Sequence, residues 1–416
     1  MCKILLQGGI FVKTKLSVEE AVEEILSVVR PLETEMVPVG ESAGRILAED
    51  LYAPENIPPF RRSPLDGYAF RSADTEGADQ DHPVTLDVIE YIPAGKWPEH
   101  SVGHMQAVNL MTGAPVPEGA DAVEKFEDCR VLEGKVQLFR SYKPNTNVVP
   151  VGEDVKIGDK VLEKGIRISG AYCGILAGLG FARIPVYRRP RISLISTGSE
   201  LVEVGEELPP GKIRNSSIYT LQAFLEQEKA LVTRLPIAPD NVDDIASIIK
   251  EAAKQSDMII TTGGVSVGDF DLLPETMKQL DARILFWKLM MKPGMAYLAS
   301  VYRDIPVISL SGNPSSAVIS MLLTVIPAVR RMSGLKQYRL KMDKGKVIYP
   351  FPKASKARRF IPVQVVIRGG EAWLVNDSDQ ANGILHSLHD CNAVAEVKAG
   401  TPCLKPGDEL TVYLLQ

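Results

Sequence analysis

The chain has 416 residues, 45% hydrophobic and 24% charged, with a formal net charge of −5. That length exceeds one compact core and calls for several domains. The acidic balance argues against a nucleic-acid-binding protein, which would show a basic excess, and no apolar run reaches the roughly 18 residues of a membrane span.

The start, Met1 to Leu16, is a short apolar patch broken by Gly8-Gly9 and followed by no small-residue cleavage site, so it reads as an ordinary N-terminus. Cys2, Cys129, Cys173, Cys391 and Cys403 are scattered without a CxxC pair, which fits free thiols in a reducing cytoplasm. Ser17-Val18-Glu19-Glu20 has the spacing of a capping box, and Val18, Ala21, Val22, Ile25 and Val29 continue at helical spacing until Pro31. From about 32 to 150 prolines are dense and short strands are predicted over 84–89 and 107–111, a separate β-rich domain. Within it, the rigid segment Pro58 to Ala69 carries Asp66, and a turn-rich loop begins at Thr112. Alone, Asp66 and Thr112 read as ordinary turn chemistry sooner than as site residues. Gly152-Glu153-Asp154 then leads into a glycine-punctuated stretch, where a short helix over 171–179 is predicted to pack closely through its small residues.

From Pro190 the pattern becomes strand, loop, helix, repeated. The strand 192–196 ends in Thr197-Gly198-Ser199-Glu200, Asn215-Ser216-Ser217 caps a helix over 218–226, and the strand 231–237 ends before Asp240. After a helix over 242–253, the run Asp257 to Ile260 enters Thr261-Thr262-Gly263-Gly264-Val265-Ser266-Val267-Gly268-Asp269-Phe270-Asp271. Lys288 and Lys292-Pro293-Gly294 follow the strand 284–288; strands over 296–301 and 307–310 then reach Ser311-Gly312-Asn313-Pro314, with Asn313 an N-cap and Pro314 the first residue of a long apolar helix. Alternation of this kind predicts a doubly wound α/β domain with a mostly parallel sheet, whose ligands bind at the carboxyl ends of the strands. A basic linker precedes short strands from about 347 to the end, a small β-barrel-like domain.

The strand ends offer acids, the cations Lys288 and Lys292, hydroxyls and open glycine backbone. No Walker loop or Rossmann fingerprint is present, and the α/β region has no histidine to activate a serine. This equipment suits anion binding and phosphate chemistry. Carboxylates such as Asp269 and Asp271 beside a phosphate cradle imply a hard cation, Mg²⁺, between them; the plain alternative is a glycine turn with solvated aspartates. His386 and His389 read as ordinary polar residues, and the run Lys353, Lys356, Arg358, Arg359 as a solvated face, with an anion contact from Arg358 or Arg359 as the minor alternative.

Asp66-Gly67-Tyr68-Ala69, Thr112-Gly113-Ala114-Pro115-Val116-Pro117, Gly152-Glu153-Asp154, Thr197-Gly198-Ser199-Glu200-Leu201, the Gly263 to Asp269 loop, Lys292-Pro293-Gly294 and Gly312-Asn313-Pro314 occur in that order. The series resembles the MoeA family of molybdopterin molybdenumtransferases, which includes the E domain of gephyrin, from about Ser17 to Leu415. The resemblance implies a homodimer of four-domain chains: a discontinuous domain I (14–40 and 150–188), a β-rich domain II (41–149), a MogA-like α/β domain III (189–335) and a β-barrel domain IV (340–416). It implies an enzyme that takes molybdopterin adenylate and molybdate, cleaves the adenylate with Mg²⁺, inserts the metal and releases AMP, beside a MogA-like adenylyltransferase and molybdoenzyme apoproteins. By residue matching, Asp66, Thr112, Asp154, Glu200, Asp240, Asp271, Lys288 and Lys292 are its catalytic candidates. Thr197, Gly198, Ser199, Gly263, Gly264, Ser266, Gly268, Pro293, Gly294, Gly312, Asn313, Pro314 and Ser315 would bind substrate, and Asp269 and Asp271 the metal. The first three catalytic candidates are expected to face the α/β domain of the other subunit. Two departures stand out: Ser311 replaces the first proline of Leu-Pro-Gly-Asn-Pro, and Ser199 replaces an acid; either bears on molybdate against tungstate. The alternatives are the preceding adenylylation step, whose MogA-like enzymes carry Gly-Gly-Thr-Gly in place of Gly263-Gly264-Val265-Ser266, and a pterin-binding scaffold without turnover.

Overall fold

The computed structural model describes residues 2–5, 11–265, 272–351, 354–375 and 388–415. The α/β body is built on an eight-stranded sheet in the order Cys2–Leu5, Phe11–Leu16, Arg283–Leu289, Tyr297–Tyr302, Ile305–Leu310, Met258–Thr262, Arg191–Ser196, Leu231–Arg234. The sheet is mixed rather than mostly parallel: Tyr297–Tyr302 runs antiparallel to both neighbours. The cause is local. Arg303 and Asp304 both take positive φ (48° and 67°), the geometry of a tight hairpin turn, so the strand folds straight back instead of crossing over through a helix. Cys2–Leu5 and Phe11–Leu16, expected as plain N-terminus, form the sheet edge beyond Arg283–Leu289.

The first helix, Val18–Val28, starts with the expected capping box: Glu20 N–H donates to Ser17 Oγ (3.2 Å) and Ser17 N–H to Glu20 Oε2 (2.9 Å). Its apolar stripe of Val18, Ala21, Val22, Ile25 and Leu26 is buried in one cluster with Ile260, Phe286, Ile308 and the long helix Pro314–Met332. This helix therefore packs in the α/β core, not with the 150–188 segment to which the sequence assigned it. Pro314–Met332 is long and apolar enough to span a membrane, but 94% of its most apolar window is buried inside the protein, so it is a core helix. Asn313 occupies its N-cap position without a side-chain cap bond, and Pro314 takes the first turn as predicted.

A second body pairs Thr34–Pro38 with Arg183–Tyr187 and Leu51–Tyr52 with Lys160–Leu162. Its core joins Val37, Leu47, Leu51, Leu162, Ile168, Leu176, Ile184 and Val186, so residues 45–53 pack here rather than in the β-rich domain placed from 41. Its helix, Gly170–Gly178, buries only Leu176. A Cβ added at Gly170 or Gly174 would meet nothing within 4 Å, and at Gly178 only Ile57 Cδ1 at 3.7 Å; among the described residues no neighbour requires those glycines, contrary to expectation. The β-rich body is a six-stranded sheet from Gly67–Phe70 to Lys135–Leu138, and residues 341–414 close a five-stranded barrel, as the sequence predicted.

Candidate active site

Arg191–Ser196, Met258–Thr262 and Ile305–Leu310 are parallel neighbours, so their carboxyl ends meet at one edge of the sheet. Thr197 N–H donates to Thr262 C=O (2.8 Å) and Gly263 N–H to Leu310 C=O (3.1 Å), which ties the three loops together. The space between them requires glycine at position 263. A Cβ on Gly263, at φ 92°, would lie 2.4 Å from the Thr197 carbonyl, and one on Gly312 would stand 3.5 Å from the Gly263 Cα. Gly264 also has positive φ (64°), with Thr197 Oγ1 3.3 Å from its Cβ position. The result is bare backbone at the strand ends, open to an oxyanion.

Acids line this edge. The Glu200 carboxylate folds back over Gly198, within 2.5 Å of where a Cβ would stand. Asp240 Oδ2 accepts the Ser199 N–H (2.7 Å), and both carboxylates are exposed. Lys212 Nζ donates to the Ser199 carbonyl, a contact the sequence did not point to. On the far side, Asn313 and Pro314 open the core helix, Ser315 is buried beneath them, and Ser311 Oγ accepts the Asn313 N–H (3.3 Å), so the departing serine stiffens its own turn.

The lysines arrive on and just after Arg283–Leu289, which is separated from Ile305–Leu310 by Tyr297–Tyr302. Lys288 sits at positive φ (69°) with its ammonium 4.5 Å from the Trp287 ring centroid. Lys292 N–H donates to Arg358 C=O and its own carbonyl accepts the Phe360 N–H, both at 2.9 Å, so the barrel holds this loop. Pro293 follows through a cis peptide, and Gly294 (φ 98°) packs toward the first turns of the core helix, with Ser316 O 3.4 Å from its Cβ position. The Lys292 side chain is exposed, and among the described residues it has no ion-pair partner.

Asp66, Thr112 and Asp154 form a separate group. Asp66 Oδ1 accepts both the Thr112 N–H (2.6 Å) and hydroxyl (2.8 Å), and these bonds hold its carboxyl below the usual carboxylate range. Gly67 is obligatory, since a Cβ there would stand 1.9 Å from the Glu124 carbonyl. The segment 57–63 connects this pair to Asp154: Asp154 N–H donates to Ile57 C=O (3.0 Å), and Gly113 N–H to Ser63 C=O (2.8 Å). Among the described residues, no hydrogen bond or ion pair joins this group to the strand-end loops. Ser266, Gly268, Asp269 and Asp271 lie outside the described residues, as do Lys353 and His386.

Arg358 corrects the sequence reading. It is no solvated residue: its guanidinium is engaged by Glu19 and Glu396. Glu19 lies 339 positions away, so no local pattern pointed to the pair.

Family models match in three consecutive parts: the MoeA N-terminal region (domain I and II) over residues 16–180, a probable molybdopterin binding domain over 193–331, and the MoeA C-terminal region (domain IV) over 344–415. Molybdopterin molybdenumtransferases of Staphylococcus epidermidis and Bacillus subtilis are each 36% identical, over 404 and 408 residues, covering 97% of this chain and 96% and 95% of theirs. The crystal structure of a molybdopterin biosynthesis MoeA protein from Pyrococcus horikoshii OT3 matches with a TM-score of 0.81 at 30% identity, covering 96% of this chain and all of that one. With the whole length matched part by part, the chain belongs to the MoeA family of molybdopterin molybdenumtransferases.

Proposed function

We propose that the chain carries out the molybdenum-insertion step: it takes molybdopterin adenylate and molybdate, releases AMP, and leaves molybdenum on the dithiolene. The observation that carries this reading is the three-loop junction around Gly263, open backbone beside an uncommitted Lys292. The uncovered glycine backbone at the junction (Gly198, Gly264, Gly312), rather than the Thr197 and Gly263 N–H groups that tie the loops together, suits the phosphate of the adenylate, and the ammonium of Lys292 offsets charge that builds on phosphate or molybdate oxygens as the adenylate leaves. Asp66, held ionised by Thr112, and Asp154 act from the second group as proton acceptors or substrate-orienting groups.

Mg²⁺ is the expected cation. The donor set is all oxygen, Glu200 and Asp240 beside the Gly-rich loop and Asp269 and Asp271 next in sequence, which fits a hard ion. Asp269 and Asp271 would hold it, and when bound it screens the phosphate charge from the surrounding acids.

The working unit is a homodimer in which Asp66, Thr112 and Asp154 of one subunit face the strand-end loops of the other. Two observations support this: among the described residues no hydrogen bond or ion pair joins the two groups within one chain, and the apolar Gly170–Gly178 helix leaves Ile175 exposed with open space at Gly170 and Gly174. In the cytoplasm its substrate comes from an adenylyltransferase and its product passes to molybdoenzyme apoproteins.

The test is AMP release by the purified protein with molybdopterin adenylate, Mg²⁺ and molybdate or tungstate. Release that needs the oxyanion and falls steeply in Asp271→Ala supports insertion; tight binding without AMP release overturns it.

A further inference from the structure

What fixes Lys292 comes largely from outside its own strand. Its N–H and C=O pair with Arg358 and Phe360 at the start of the barrel strand Arg359–Arg368. Two residues earlier, Met290 N–H donates to Leu16 C=O (2.7 Å). Leu16 runs directly through the Ser17 cap into the helix turn that carries Glu19.

Arg358 closes this circuit. Its Nη1 and Nη2 each donate to one oxygen of Glu19 at 2.6 Å, a bidentate fork, while Nε donates to Glu396 Oε1 at 2.8 Å on the adjacent barrel strand Ala393–Val397. The guanidinium carbon also lies 5.0 Å from the centroid of the buried Phe360 ring. The other joints of the circuit are main-chain bonds; the one between Glu19 and Arg358 is made by side chains. A planar fork grips two carboxylates in fixed directions, which a lysine ammonium cannot reproduce.

We infer that Arg358 is a positioning residue for Lys292: by gripping Glu19 and Glu396 it sets where the barrel presents its carbonyl and amide to Lys292, and so where that ammonium stands against the strand-end loops. The inference rests on the assignment of Lys292 to the site proposed above. It makes the barrel part of the catalytic geometry, because the barrel holds the backbone of a site residue.

The test uses the full chain with Glu19→Gln, Arg358→Met, Arg358→Lys and the double variant Glu19→Gln/Arg358→Met, and Lys292→Ala as reference. Three readouts are followed: kcat and KM for AMP release, amide hydrogen exchange at Lys292 and Phe360, and Tm. Glu19→Gln and Arg358→Met are expected to lower kcat about 10- to 100-fold with little change in KM, and to speed exchange at both amides. The double variant falls no further than the worse single one, and Arg358→Lys recovers only part of the loss. A purely structural role would lower Tm while leaving kcat and the two amides as they were, and that result overturns the proposal. If Lys292→Ala keeps full activity, the site assignment falls and takes the proposal with it. If Lys292→Ala is inactive while Glu19→Gln is normal in kcat and exchange, the proposal alone falls. Should Arg358→Met not fold, Glu19→Gln at an exposed carboxylate decides the question.

Discussion

Asp66 Oδ1 receives two hydrogen bonds from one residue, the N–H and the hydroxyl of Thr112, 46 positions along the chain. Two strand ends make this possible: Gly67 and Leu110 are partners in an antiparallel pair, which brings Asp66, just before one strand, within reach of Thr112, two residues past the other. The bonds stabilise the carboxylate over the acid, the N–H bond more than the hydroxyl. The lowered value makes this contribution fully present above the ordinary carboxylate range and lost as pH falls through Asp66's own value. In Thr112→Val the N–H bond remains and the hydroxyl bond goes, so the Asp66 titration, followed by carboxyl NMR, moves part of the way up. The acid limb of AMP release moves with it if Asp66 acts ionised.

Gly263→Ala tests the junction of the three loops. The substitution puts a Cβ 2.4 Å from a main-chain carbonyl in a positive-φ conformation, so backbone must shift. Strain of about 1–3 kcal/mol is expected from the conformation alone, read as a lowered Tm. AMP release should fall further than that loss accounts for, because the loops that shift are those that meet the substrate.

The motifs were legible because each sits where a turn demands it: Thr197-Gly198, Gly263-Gly264 and Gly312-Asn313-Pro314 all end parallel strands, and alternation of strand and helix announced those ends. The mixed sheet was hidden. Arg303-Asp304 is not a pair that signals a tight hairpin, although both residues take its positive φ. The home of the first helix was hidden for another reason. Helical spacing says that Val22 and Ile25 must be buried, not against what, and their partners lie around 260 and 320. Arg358 was misread on the same ground, since a basic run looks solvated until its distant acids are known.

That placement of the first helix can be measured. Ile25 is 0% exposed in the cluster with Phe286 and the core helix. Ile25→Ala should cost about 2–5 kcal/mol, seen in denaturant as destabilisation of the α/β body with the barrel following. A loss under about 1 kcal/mol, typical of surface positions, would place the helix elsewhere.

Glu228 joins the second body to the α/β body. Its two oxygens accept from Arg330 of the core helix (Nε, 2.9 Å) and from Arg167 (Nη2, 2.6 Å). Glu228 and Arg330 are 9% and 8% exposed. Glu228→Gln leaves the Arg330 charge buried without a counter-ion, expected to cost about 3–5 kcal/mol; Tm and denaturant midpoint report it. Arg330→Met in addition should recover part of the loss, because removing the second charge removes the uncompensated burial.

The Gly170–Gly178 helix is where the proposed dimer can be tested. Glycine inside a helix costs about 0.5–1 kcal/mol against alanine, and none of the described residues occupies the space beside Gly170 and Gly174. In the proposed dimer a second copy would pack on that face. Gly174→Ala should then stiffen the isolated helix yet weaken the dimer, and Ile175→Asp, at a position 39% exposed in one chain, should dissociate it. Light scattering across a dilution series reads the mass. AMP release by Ile175→Asp should fall with the dimer fraction, since Asp66 and the strand-end loops then no longer meet. Mixing a Lys292→Ala chain with an Asp66→Ala chain checks the same point: with residues supplied in trans, the mixed dimer has one intact site and regains up to about half the activity per dimer, estimated from site counting by symmetry. Mixtures as inactive as either parent would show that each chain works with its own Asp66.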